Sequence, residues 1–207
     1  MRPSPRLFRL LVLAFVGTAL AGCISLFPKQ KPLQLYEFGE TAGAAAPAAP
    51  AAGPGFVVVL ANTDFDRAAA GERILTIQGD QTAYIEGAGW VSPAPMLFDL
   101  AIRKAFDAGP ARLLAKGEPA RADYSLTLDV RTFEARYLAG PNAPPTVRIE
   151  VYAGMGATSE RTDHDRVFVG EAAASDNRVS AIVIAFDQAF AKVMAQLVPW
   201  VDARGQG

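Results

Sequence analysis

At 207 residues, 51% of them hydrophobic, the chain is long enough for one domain with a substantial core. Its 20 basic and 21 acidic residues nearly cancel, and they are mixed along the chain. With no basic stripe and no acidic tail, nucleic acid is not an expected partner. One cysteine and one histidine leave no disulfide framework and no seed for a zinc site.

The chain opens MRPSPRLFRLLVLAFVGTALAGC. Arg2, Arg6 and Arg9 form a positive segment, Leu10 to Leu20 an apolar one, and Ala19, Ala21 and Gly22 supply small residues before a cut. Residues 1–22 therefore read as a secretory signal peptide. The apolar run is too short for a membrane span, which needs ~20 residues. Cys23, directly after Leu20-Ala21-Gly22, resembles the lipobox cysteine of bacterial lipoproteins. The resemblance implies a diacylglyceryl group on the thiol, cleavage before Cys23 and acylation of the new amine, with palmitate among the acyl chains. Two or more chains hold a protein stably at a membrane where one does not. Ile24 and Ser25 lack the Asp that keeps many enterobacterial lipoproteins in the inner membrane. The expected location is the outer membrane, facing the periplasm.

Residues 23–32 form the lipidated N-terminus and a tether whose nine residues reach at most ~30 Å. LQLYEFG (33–39) alternates as a short strand. Residues 40–55 are an Ala/Pro/Gly insert that can bury little. FVVVLAN (56–62) reads as a buried strand, and Arg73 to Ile85 as a hairpin turning at Gly79-Asp80. Residues 93–109 predict a helix, with prolines in its first turn and Gly109 at its stop. In 123–138 the apolar set Tyr124, Leu126, Leu128, Val130 continues one residue out of phase as Phe133, Ala135, Tyr137, which predicts a bulge near Arg131-Thr132. Strands at 146–155 and 166–175 complete an antiparallel meander. Residues 177–201 carry a helical stripe from Val179 through Phe186 and Phe190 to Leu197, with Asp187, Lys192 and Gln196 off it. The sum is an α+β fold: a mainly antiparallel sheet with two helices packed on one face, one domain over 33–201, and 202–207 a disordered tail.

Chemistry is sparse. His164, in TDHD, sits in a polar turn and has no partner for a Ser-His-Asp unit. The Gly pairs in GAG (87–89) and GMG (154–156) lack the context of a nucleotide loop and read as turns or bulges. No catalytic, cofactor-binding or metal residue is expected, and the chain does not read as an enzyme. Trp90 lies between glycines and prolines. It is either a cover for the core or an anchor for a partner, and it is the one candidate contact residue. Trp200 poses the same choice.

Taken in order, LYEFG, ERILTIQGDQTAYIEGAGWVSPAPMLFDLAIRKAF, RADYSLTLDVRTFEARY, PPTVRIEVYA and the closing SDNRVSAIVIAFDQAFAKVMAQLVPWV resemble the ABC-type transport auxiliary lipoproteins. The insert at 40–55 and the VSPAP run after Trp90 depart from that pattern. The resemblance implies a non-catalytic lipoprotein of an MCE-type lipid transport system, with an MCE-domain protein, a permease and an ATPase as partners. It also brings a homo-oligomer into consideration. The alternative from another class is an envelope-assembly lipoprotein that binds a periplasmic protein or peptidoglycan.

Overall fold

The computed structural model describes residues 32–39, 55–107, 109–115, 117–158 and 164–205. The signal peptide, Cys23, the tether before Pro32 and residues 40–54 of the insert lie outside them. The element order is β1 (Gln34–Tyr36), β2 (Phe56–Phe65), β3 (Arg73–Gln78), β4 (Gln81–Trp90), α1 (Ala94–Phe106), β5 (Ala111–Leu114), β6 (Tyr124–Arg136), β7 (Thr146–Ala157), β8 (His164–Ala173) and α2 (Val179–Gly205).

All eight strands join one sheet, with β6 at its centre. One edge of β6 pairs with β7 along its full length, from Tyr124↔Ala157 to Arg136↔Thr146. The other edge is shared. β2 runs beside its first half and β3 meets its end at Thr76↔Ala135 and Ile77↔Arg136. β5 lies outside β2, while β4 and then β1 lie outside β3.

The α+β class holds, but the sheet is mixed and not mainly antiparallel. The hairpin β3–β4 and the meander β6–β7–β8 are antiparallel, as local connections favour. The pairs β1–β4, β2–β5, β2–β6 and β3–β6 are parallel. Each of these four joins strands that a short turn does not link, so the chain crosses over and re-enters in the same direction.

The hairpin turns at Gly79-Asp80, with Gln78 opposite Gln81. β4 then skips residues 85–88 before Gly89 pairs with Arg73, so the first Gly pair lies at a bulge. In β6 the register shifts between Val130 and Thr132. That extra residue keeps Leu126, Leu128, Val130, Phe133 and Ala135 all buried on the same face. α1 begins behind Pro93 with Pro95 in its first turn, where a missing N–H costs nothing, and Arg103 and Lys104 suit its C-terminal dipole.

Both helices cover one face. Ile182, Phe186, Phe190, Val193 and Leu197 of α2 are buried. Ala189 of α2 approaches β8 so closely that a Cβ on Gly170 would collide with the Ala189 carbonyl oxygen. α2 is the one described helix long and apolar enough to cross a membrane, yet its apolar stripe is turned onto β7 and β8. Its polar margin has a separate task. Lys192 Nζ donates to Glu171 O at 2.6 Å and Gln196 Nε2 to Val169 O at 3.1 Å, so both cap carbonyls on the outer edge of β8.

Two expectations fail here. The helix does not stop at Val201, and residues 202–205 are not a loose tail. Arg204 donates to Trp200 O and stacks 4.5 Å from the Trp200 ring, Asp202 accepts from the Ala111 backbone, and the Phe56 ring lies against Gly205. Asp187 is not a solvent-facing bystander. Its Oδ1 accepts a hydrogen bond from Gly39 N, where the chain leaves β1 with φ +89° and presses on Ala101 of α1. Asp187→Ala should therefore cost about 1–3 kcal/mol in chemical denaturation, the range for leaving a donor such as the Gly39 N–H without its acceptor. A variant with wild-type stability would mean that this contact contributes nothing in solution.

Candidate functional site

Trp90 anchors the centre of the molecule. It is 1% exposed. Its ring meets Phe38 at 5.3 Å, Phe186 at 5.2 Å and Phe133 at 6.0 Å, with edge-on or tilted geometries typical of aromatic cores. Its backbone N–H donates to Glu72 O, which fixes the strand end before α1. The reading of Trp90 as a partner contact is therefore corrected, because a side chain enclosed on all sides by β1, β6 and α2 cannot reach a partner. Trp200 is also buried, against Phe168 at 5.5 Å. His164 opens β8 instead of lying in a turn, and it is exposed opposite Met155.

The sheet face away from the helices is polar. Across it, Glu134, Arg148 and Glu171 are cross-strand neighbours. Arg148 bonds Glu150 at 2.7 Å and also Glu171, and the two carboxylates, Glu150 first, raise its pKa above the ordinary arginine value. Arg136 pairs with Glu134 and Arg131 with Asp129, while Arg131 also lies 4.4 Å over the Tyr152 ring. These charges neutralise one another within the face, and exposed pairs of this kind add little stability.

A shallow depression of about 630 Å³ opens where β6 begins and β7 ends, lined in part by Arg121, Asp123, Tyr124 and Thr158. Its carboxylate is already used: Asp123 Oδ2 accepts from Val57 N at 2.8 Å, and Thr158 Oγ1 donates to Ala122 O. No nucleophile–base pair forms there. Among the described residues, no group of three or more His, Cys, Asp or Glu converges to hold a metal ion.

The sequence matches the family model of the ABC-type transport auxiliary lipoprotein component over residues 36–198. The chain belongs to that family. The matched span runs from the last residue of β1 into the C-terminal half of α2 and so takes in β2 to β8, α1 and most of α2. The auxiliary lipoprotein is similar to a crystal structure of a Xanthomonas campestris protein assigned to DUF330. Identity is 26%, coverage 84% of this chain and 95% of that one, and the TM-score 0.66. A second solved structure, of an uncharacterized protein, shares the fold at 14% identity and TM-score 0.60, covering 84% and 99% of the two chains. No curated protein matches the sequence. Membership of a lipoprotein family makes this a lipid-anchored, membrane-associated protein connected with ABC-type transport.

One titratable group of the auxiliary lipoprotein is out of balance. Asp202 is half-buried at the end of α2, and burial raises its pKa, partly offset by the hydrogen bond from the Ala111 backbone. Its Oδ1 has no hydrogen-bond partner. A carboxyl whose folded pKa is raised holds its proton longer when folded. Its ionisation therefore costs stability as pH rises from the unfolded pKa through the folded one, and that cost persists at neutral pH. Asp202→Asn should melt above wild type at pH 7, with the difference shrinking as pH falls to about 4, near the free-aspartate pKa. Parallel thermal melts across this range would show it. A gap that stays constant with pH would contradict the assignment.

Proposed function

We propose that the protein is a non-catalytic component of an MCE-associated ABC system that moves lipid across the periplasm, anchored in the outer membrane through acyl chains on Cys23. The observation that supports this most is the order of parts: a Leu-Ala-Gly-Cys sequence, a short tether, and then a domain that matches the auxiliary-lipoprotein family from residue 36 to 198. The described side chains favour a structural role, since the depression's carboxylate, Asp123, holds the Val57 backbone and Glu150 on the polar sheet face pairs with Arg148. In this reading the domain is a docking body for the periplasmic MCE protein, and the permease and ATPase lie at the far end of the system.

The deciding experiment is co-purification of the natively lipidated full chain with an MCE-type protein of the same organism, in detergent and in membranes. A stable complex supports the reading, and no association under either condition would overturn it. Cys23→Ser should accumulate unprocessed precursor and lose the acyl mass from the N-terminal peptide. Mature protein with a free Cys23 thiol in the mass spectrum would contradict the anchor.

A further inference from the structure

β2 is paired on its outer edge only at its start. β5 covers Phe56 to Val59 and ends at Leu114. From there β2 runs on to Phe65 with no further strand on that side among the described residues. The register slips between Leu60 and Asn62, so the alternation of β2 reverses at Ala61. Beyond the slip, Asp66 N donates to Val130 O of β6. By alternation Asp64 and Asn62 also address β6, and the N–H and C=O groups of Thr63 and Phe65 point outward.

Space lies along that edge. A cleft of about 220 Å³ is bounded by Ala61 and Thr63 of β2, Asp99 and Arg103 of α1, and Ala115, the residue just past β5. Its helix wall is rigid. Thr63 Oγ1 donates to Asp99 Oδ1 at 2.9 Å, and Arg103 Nε folds back to Asp99 O at 3.0 Å. Met96 lies on the same helical stripe as Asp99 and Arg103, at spacing three and seven, and is 63% exposed. The groove thus offers the main-chain donors and acceptors of Thr63 and Phe65, a slot in line with β5, and one exposed apolar side chain, Met96, at its rim.

We propose that this edge receives an extended segment of the transport partner as an added strand, continuing the line of β5. The alternating outward N–H and C=O groups of Thr63 and Phe65 match another polypeptide backbone, and the cleft and Met96 would accept apolar side chains of such a segment. The proposal rests on the functional reading above, in which an MCE-type protein docks on this domain.

The test uses the lipidated full chain, alone and with an MCE-type protein of the same organism, followed by hydrogen exchange over residues 61–66 and by binding titrations. In the complex, the amides of Thr63 and Phe65 should slow markedly. Thr63→Pro removes an outward N–H at an edge position that tolerates proline, and it should weaken binding about fivefold or more. Thr63→Val keeps that N–H and loses only the bond to Asp99, so it should bind more tightly than Thr63→Pro. A complex that forms with unchanged exchange in this segment, or with full affinity in Thr63→Pro, would overturn the added strand and leave the functional reading standing. Slow exchange already present in the isolated protein, and lost on deleting residues 40–54, would mean that the chain fills its own groove, and this too would overturn it. If Thr63→Pro fails to fold, the exchange result on the unmodified protein decides. No complex at all would overturn the functional reading and the strand together.

Discussion

A single extra residue in β6 decides which way the aromatic hub of this protein points. Without the slip at Arg131, the side chains after it would alternate to the opposite face, and Phe133 would look into water. With it, Phe133 stays on the helix side and touches Phe38, Phe65, Trp90 and Phe186, which arrive from four different elements or segments. β6 is also the strand on which β7, β2 and β3 are all laid down. One local irregularity therefore holds both the core and the sheet order in place.

The polar chemistry of the molecule is given over largely to holding segments together. Asp187 fixes the exit from β1, Asp123 clamps the starts of β2 and β6, and Asp99 ties α1 to β2. A docking body asks for this kind of organisation: a stiff frame whose polar side chains mostly bind its own segments, with recognition left to shape and to open backbone. The transport role proposed for the family member fits that frame, because nothing in it requires the domain to break or form a covalent bond.

Much of this was legible in the sequence. Period-two and period-three-to-four patterns give the strands and both helices, and the Gly-Asp pair gives the hairpin. The phase change between Val130 and Phe133 reveals the bulge before any coordinate does. What failed was nonlocal. Strand direction within a pair depends on which strands meet, and ARLL at 111–114 is too short to show as a strand until β2 provides an edge. The final turn of α2 looked like a polar tail because its support comes from Phe56 and Ala111, far away in sequence. Asp187 looked like surface because its partner is the backbone of Gly39. Trp90 was ambiguous for the opposite reason: glycines and prolines beside it suggest an exposed loop, whereas a carbonyl from Glu72 and three aromatic rings enclose it. The groove beside β2 left no mark in the sequence, since an unpaired edge is defined by where β5 happens to stop.

The caps on β8 bear on life at a surface. Molecules held on a bilayer diffuse in two dimensions and meet their neighbours far more often than they would in bulk solution. β8 closes one side of the sheet along ten residues, and an open ladder there would invite neighbour to zip onto neighbour in growing rows. Lys192 and Gln196 reach across from α2 and occupy two of the carbonyls such zipping would need, those of Glu171 and Val169. Because these long polar side chains belong to a helix locked in the core, the guard on this edge stays in place for as long as the domain stays folded.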